Sequence, residues 1–136
     1  MDRFVKGFIG MSIVYLALAS VLGLMMLAHP SLITLKFVHS HLNMLGWVSM
    51  MIFGVGYHIL PRFSGKPLKS VKIGEVHFWL ANIGLIGMLL FATLGIYSRE
   101  PGLYNTLSVV FGLIEAFSIG LFFYNMFATL FAKEAA

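Results

Sequence analysis

Residues 37 to 61, FVHSHLNMLGWVSMMIFGVGYHILP, contain no Asp, Glu, Lys or Arg and carry His39-Ser40-His41 near their start. At about 1.5 Å per residue the stretch reaches about 37 Å as a helix, more than the roughly 30 Å of bilayer hydrocarbon. A transmembrane helix follows. Imidazole is costly in hydrocarbon unless something binds it, so His39 and His41 are functional candidates. Each residue turns a helix by about 100°, so these two side chains leave it about 200° apart. They cannot hold one ion from one helix; each faces a different neighbour.

Outward from this stretch the pattern repeats. Phe8 to Ala28 and Val76 to Ser98 are also uncharged, and Leu103 to Ala132 holds only Glu115. Apolar residues make up 60% and charged residues 10% of the 136 residues, against roughly 25% charged in soluble domains, which excludes a soluble globular class. The fold expected is an all-α integral membrane protein. Residues 1–136 form a single four-transmembrane-helix bundle, with helices at about 8–28, 37–61, 74–98 and 103–132. Arg3 and Lys6 ahead of the first segment resemble a signal peptide. The apolar run exceeds the 7–15 residues of such a signal and ends in a poor cleavage sequence, so it reads as a retained anchor.

The nine basic residues set the orientation. Arg3, Lys6, Arg62, Lys66, Lys69, Lys72 and Lys133 fall on one side of a four-helix path, and Lys36 and Arg99 on the other. Positive residues stay inside, which puts both termini and the Arg62 to Lys72 loop in the cytoplasm of a multi-pass inner (cytoplasmic) membrane protein. The net charge of +4 is accounted for by this topology and by the lipid bilayer as partner, and it gives no case for nucleic acid.

Cysteine is absent, which excludes disulfides, thiolate zinc or iron-sulfur sites and covalently attached c-type heme. Any heme is therefore noncovalent, and its candidate ligands are His29, His39, His41, His58 and His77. The nine methionines are weaker candidates and read as packing residues. Glycines inside the helices, such as Gly46, Gly54, Gly56, Gly84, Gly87 and Gly95, fit close helix packing, or room for a flat macrocycle.

Residues 37–68, FVHSHLNMLGWVSMMIFGVGYHILPRFSGKPL, resemble the tenth transmembrane helix of catalytic subunit I in the heme-copper oxidase superfamily, above all its C-type (cbb-type) oxidases. Shared features are the H-x-H pair, L-G-W, I-F-G and the Y-x-x-x-P-R end. His77 to Gly84, HFWLANIG, is similar to the opening of the family's next helix. The likeness runs through about 60 residues in register over two consecutive helices, far more than a lone motif supplies.

The resemblance implies that His39 ligates a high-spin heme and His41 a low-spin heme. Asn43, four residues after His39 and so on its face, reads as a group that orients the imidazole or as a bridge between two helices. The family's twelve helices form three arcs of four about a pseudo-threefold axis, and this chain has the length of one arc. The resemblance thus implies a homotrimer whose clefts receive His41 from one protomer and His39 from the next; a monomeric bundle holding heme between its own helices is the alternative. The family's three-histidine copper site has no counterpart here, so oxidase catalysis is not expected. The function expected is that of a b-type cytochrome-like protein that uses heme b for electron transfer or diatomic-gas binding, with an unidentified redox partner. The alternative is a non-redox accessory or heme-handling module of respiratory complexes.

Four residues are secondary candidates. His29, beside Pro30, reads as an outer-loop residue or a further axial ligand. His58 lies 17 positions after His41, about 25 Å along a uniform α-helix, and cannot share its iron. His58 and His77 are expected near the inner face with Arg62 and Glu75, in a hydrogen-bonded cluster that pins the second helix to the third, or in a second metal site. Glu115 reads as a carboxyl hydrogen-bonded between helices, or as a proton-transfer group. Trp47 and Trp79 read as packing residues.

Overall fold

The computed structural model describes residues 1–132. Four helices are each long and apolar enough to cross a membrane: α1 (Arg3–Ala28), α2 (Pro30–Phe63), α3 (Val71–Tyr97) and α4 (Pro101–Leu130). No strand occurs among the described residues. Each helix starts earlier than the apolar runs indicate: the first turns of α1, α2 and α3 carry polar or charged residues at the membrane boundary, and α4 opens on Pro101-Gly102. Ser70 caps α3, its hydroxyl accepting from the Ile73 amide at 3.2 Å, and Pro101 opens α4 where a missing amide costs nothing. Lys133, counted above among the inner-face basic residues, lies outside the described residues.

Successive helices run antiparallel. The loop after α2 closes on the end of α4, where Lys66 Nζ donates to the carbonyls of Leu130 at 3.2 Å and Ala132 at 2.6 Å. Lys69 N donates to Thr129 Oγ1 at 2.9 Å, and Ser70 N to Asn125 Oδ1 at 3.1 Å. These bonds tie the basic loop to the bundle.

Close helix contact comes from small residues. A Cβ on Gly46 of α2 would stand 2.8 Å from the Tyr15 side chain of α1, and one on Gly84 of α3 would stand 2.6 Å from the Glu115 backbone of α4. Of the two readings open for these glycines, helix packing is what they do here. The core is aromatic, and all four helices meet in it. His77 of α3 is fully buried, with its ring centroid 4.7 Å from Phe8 of α1, 4.7 Å from Phe53 and 5.7 Å from Tyr57 of α2, and 5.8 Å from Phe122 of α4. Outward faces are apolar as well, for example Leu24, Phe117 and Phe127, as lipid-facing surfaces require.

One feature of α2 has no signature in the periodicity. Its turns are 3-10 over Pro30–Leu35, α over Lys36–His41, π over Leu42–Ser49 and α again over Met50–Phe63. The Ser49 hydroxyl donates to the Met44 carbonyl five residues back at 2.8 Å, inside the widened turns. His39 and His41 keep regular α geometry, so their divergence of about 200° holds. Between His41 and His58 the π-turns intervene, so the uniform α-helical rise behind the figure of about 25 Å does not apply over the whole interval.

Candidate functional site

His39 is half-buried against α1. Its Nδ1 lies 3.1 Å from the carbonyl oxygen of Ala19. Gly23, one turn further along α1, leaves room for the ring: a Cβ there would stand 3.0 Å from His39 Cε1. Asn43 donates through Nδ2 to the His39 carbonyl at 2.9 Å, and the same nitrogen lies 3.4 Å from His39 Nε2.

His41, two residues on, is turned about 200° from His39 by the helix. Its Nδ1 is 2.9 Å from the Phe37 carbonyl, and its ring centroid is 4.0 Å from that of Phe37. A carbonyl oxygen only accepts, so in both imidazoles Nδ1 carries the proton and Nε2 the lone pair. This is the tautomer in which histidine ligates metal through Nε2 while a backbone oxygen holds the ring.

A cleft opens on each side of this part of α2. One, of ≈ 740 Å³, lies between α1 and α2 and is lined by Gly23, Leu24, Met26, Ile33, His39 and Asn43. The other, of ≈ 420 Å³, lies between α2 and the α3–α4 pair and includes Phe37, Val38, Ile96 and Asn105. Both fall in the range of about 300–1,000 Å³ typical of ligand sites. The first cleft, with His39 in its lining, apolar walls and the space left by Gly23, fits noncovalent heme; the second is lined by Phe37, against which the His41 ring lies, and not by His41 itself.

The secondary candidates separate. His29 is exposed at the end of α1, where its amide donates to the Met25 carbonyl at 2.8 Å. His58 and Arg62 pair one turn apart on α2, with Arg62 Nη1 donating to His58 Nδ1 at 2.8 Å and also to the His58 carbonyl. His77 is elsewhere, in the aromatic core, with its Nδ1 3.1 Å from Tyr57 Oη. Glu75 faces a cleft shared with Arg3. The expected cluster of His58, His77, Arg62 and Glu75 therefore does not form: helical rotation turns His77 inward and leaves Glu75 on the surface. No group of three or more His, Cys, Asp or Glu residues positioned for metal binding occurs among the described residues, so a second metal site there has no support.

Glu115 departs from expectation too. It is 2% exposed, yet neither carboxyl oxygen has a hydrogen-bond partner, so it is not the interhelical hydrogen-bonder read from the sequence. Both tryptophans stand on the apolar exterior, Trp79 with its ring 5.3 Å from that of Phe78.

Polar pairs escaped the sequence reading. Tyr15 Oη donates to Asn82 Oδ1 at 2.7 Å across α1 and α3, and Tyr57 meets His77 across α2 and α3. Their signal is in the residue types: each is a polar group within an apolar span, where an unpaired one is costly.

Residues 3–99 match the family described as cytochrome c and quinol oxidase polypeptide I. The chain is 40% identical over 81 residues to cytochrome c oxidase subunit 1 of Rhodobacter capsulatus, a match covering 59% of this chain and 15% of that protein. It is 41% identical over 49 residues to cbb3-type cytochrome c oxidase subunit CcoN1 of Stutzerimonas stutzeri, covering 35% of this chain and 10% of that one. The chain thus matches only a small part of the length of these curated relatives.

Proposed function

This chain belongs to the cytochrome c and quinol oxidase polypeptide I family, and from that membership we propose that it is a membrane b-type cytochrome-like protein that transfers electrons through noncovalent heme b held by His39 and His41. It is a multi-pass membrane protein. The observation that carries the reading is the pair of bonds from His39 Nδ1 to Ala19 O and from His41 Nδ1 to Phe37 O, which put the lone pair of each ring on Nε2; on His39 that nitrogen faces Asn43 Nδ2 at 3.4 Å, a contact that ligation replaces.

Each residue has a role in this reading. Ala19 and Phe37 fix the two imidazole planes through their carbonyls. Asn43 bonds to the His39 carbonyl and rests against Nε2 until heme takes that position. Gly23 keeps the first cleft open, and Leu24, Ile33 and Phe37 exclude water from the two flanks. Heme bound there supplies reversible one-electron exchange at iron. Ligation of one heme by two histidines would favour electron transfer over gas binding.

His39 and His41 diverge, so one protomer does not close both sides of one heme with them. Three copies in a ring bring His41 of one protomer to the cleft that holds His39 of the next, and closed symmetry of this kind is the common form of homo-oligomers. Heme shared in this way stabilises the trimer, because a ligand bound by the assembly alone shifts the equilibrium toward it. Native mass spectrometry of the chain purified with and without added heme tests both parts. A heme-loaded trimer that dissociates more readily without heme is expected. A heme-loaded monomer removes the shared site, and a chain that takes up no heme overturns the function.

A further inference from the structure

Away from the histidines, a cleft of ≈ 600 Å³ runs between the start of α1 and the start of α3, on the basic face of the bundle. Its floor is built by two reciprocal contacts. A Cβ on Gly7 of α1 would stand 2.8 Å from the Phe78 ring of α3, and one on Gly74 of α3 would stand 2.6 Å from the Phe4 ring of α1. Phe4 and Phe78 line the cleft together with Trp79 and Leu80, and Arg3 and Glu75 stand on its rim.

The order of these groups along the membrane normal is informative. Arg3 and Glu75 are exposed and lie within the first turns of their helices. Trp79, 63% exposed, lies one turn deeper, about 6 Å along α3 at about 1.5 Å per residue. Leu80 and the phenylalanine rings complete the apolar wall. Charge, then an indole at the interfacial depth that tryptophan prefers, then apolar surface is the sequence of a phospholipid's headgroup, ester region and acyl chain. The two charges on the rim are of opposite sign. A carboxylate disfavours an anionic headgroup and favours one that carries a cation beside its phosphate.

We propose that this cleft binds one phospholipid with a zwitterionic ethanolamine headgroup, the phosphate on Arg3, the primary ammonium on Glu75 and an acyl chain along Trp79, Leu80 and Phe78. Arg3 offers a fork of donors that matches phosphate oxygens. Ethanolamine is selected over choline because its ammonium has N–H donors for the Glu75 carboxylate, and a quaternary amine has none.

The full chain, purified in detergent and offered phosphatidylethanolamine, phosphatidylglycerol and phosphatidylcholine in equal amounts, tests this by native mass spectrometry of the retained lipid. Phosphatidylethanolamine adducts are expected to exceed each of the others about two- to fivefold, as exposed ion pairs allow. Glu75→Gln is expected to abolish the advantage over phosphatidylglycerol, and Arg3→Gln to weaken retention of all three lipids. Lys72→Gln, on the same face but outside the cleft, is expected to leave the preference unchanged. Equal or greater retention of phosphatidylglycerol by the unaltered chain, or an undiminished ethanolamine preference in Glu75→Gln, overturns the assignment. These readouts need no heme, so they stand apart from the electron-transfer reading.

Discussion

Asn43 touches His39 twice, donating from Nδ2 to its carbonyl at 2.9 Å and approaching its Nε2 at 3.4 Å. One amide therefore grips both the backbone and the ring of a proposed ligand, while Ala19 holds the ring's other nitrogen from α1. The Ala19 carbonyl orients the ring from Nδ1, and the Asn43 contact on Nε2 is the one that ligation through that nitrogen displaces.

Removing the Asn43 amide should free the ligating nitrogen. Asn43→Leu is expected to raise heme affinity about two- to fivefold, because the contact on Nε2 no longer has to be given up on ligation. Heme titration followed in the Soret region measures it, and a lower affinity than that of the unaltered chain counts against Nε2 as the ligating atom.

Gly23 offers a second handle on the same ring. Its missing side chain leaves space 3.0 Å from His39 Cε1, so Gly23→Val is expected to push the imidazole off the Ala19 carbonyl and reduce heme retention while the fold persists. Circular dichroism alongside heme content separates the two effects. Full heme content with unchanged helicity would show that the ring does not need this space.

The buried pair Tyr15–Asn82 bears on stability instead. Tyr15→Phe leaves Asn82 Oδ1, in a residue 6% exposed, without its donor, and should cost about 0.6–1.7 kcal/mol, the span measured for interhelical bonds in membranes. The double variant Tyr15→Phe, Asn82→Leu should recover part of that loss, because both polar partners are then gone. Thermal unfolding in detergent compares the three chains. A double variant less stable than the sum of the single ones would contradict the pairing.

Gly84 sets how closely α3 approaches α4. A Cβ at this position meets the Glu115 backbone at 2.6 Å, and backbone does not move aside cheaply, so Gly84→Ala should cost about 1–3 kcal/mol. Gly10→Ala, which meets nothing within 4 Å, is the matched control and should be neutral or slightly stabilising. Equal melting temperatures for the two variants would refute the close packing.

Residues as they stand in the chain explain how far sequence reading reached. Uncharged runs gave the four spans because apolar length is a nearly sufficient signal in a bilayer, and the two-residue spacing of His39 and His41 gave their divergence from helical rotation alone. The π-turns from Leu42 to Ser49 stayed hidden, since π and α windings use the same apolar residues. The fate of His77 was hidden as well. Whether a histidine near a helix start faces the boundary or the core depends on how Phe8, Phe53 and Phe122 from three other helices close around it. Glu75, two residues away, faces the opposite way for the same rotational reason.

The most direct test is the pyridine hemochrome and oxidised visible spectrum of the chain purified with heme available, beside His39→Ala and His41→Ala. Ligation by both histidines calls for a Soret band, a b-type hemochrome and a low-spin signature in the unaltered chain, with the low-spin signature lost in each variant. Absence of a Soret band, or unchanged low-spin spectra in both variants, would contradict it.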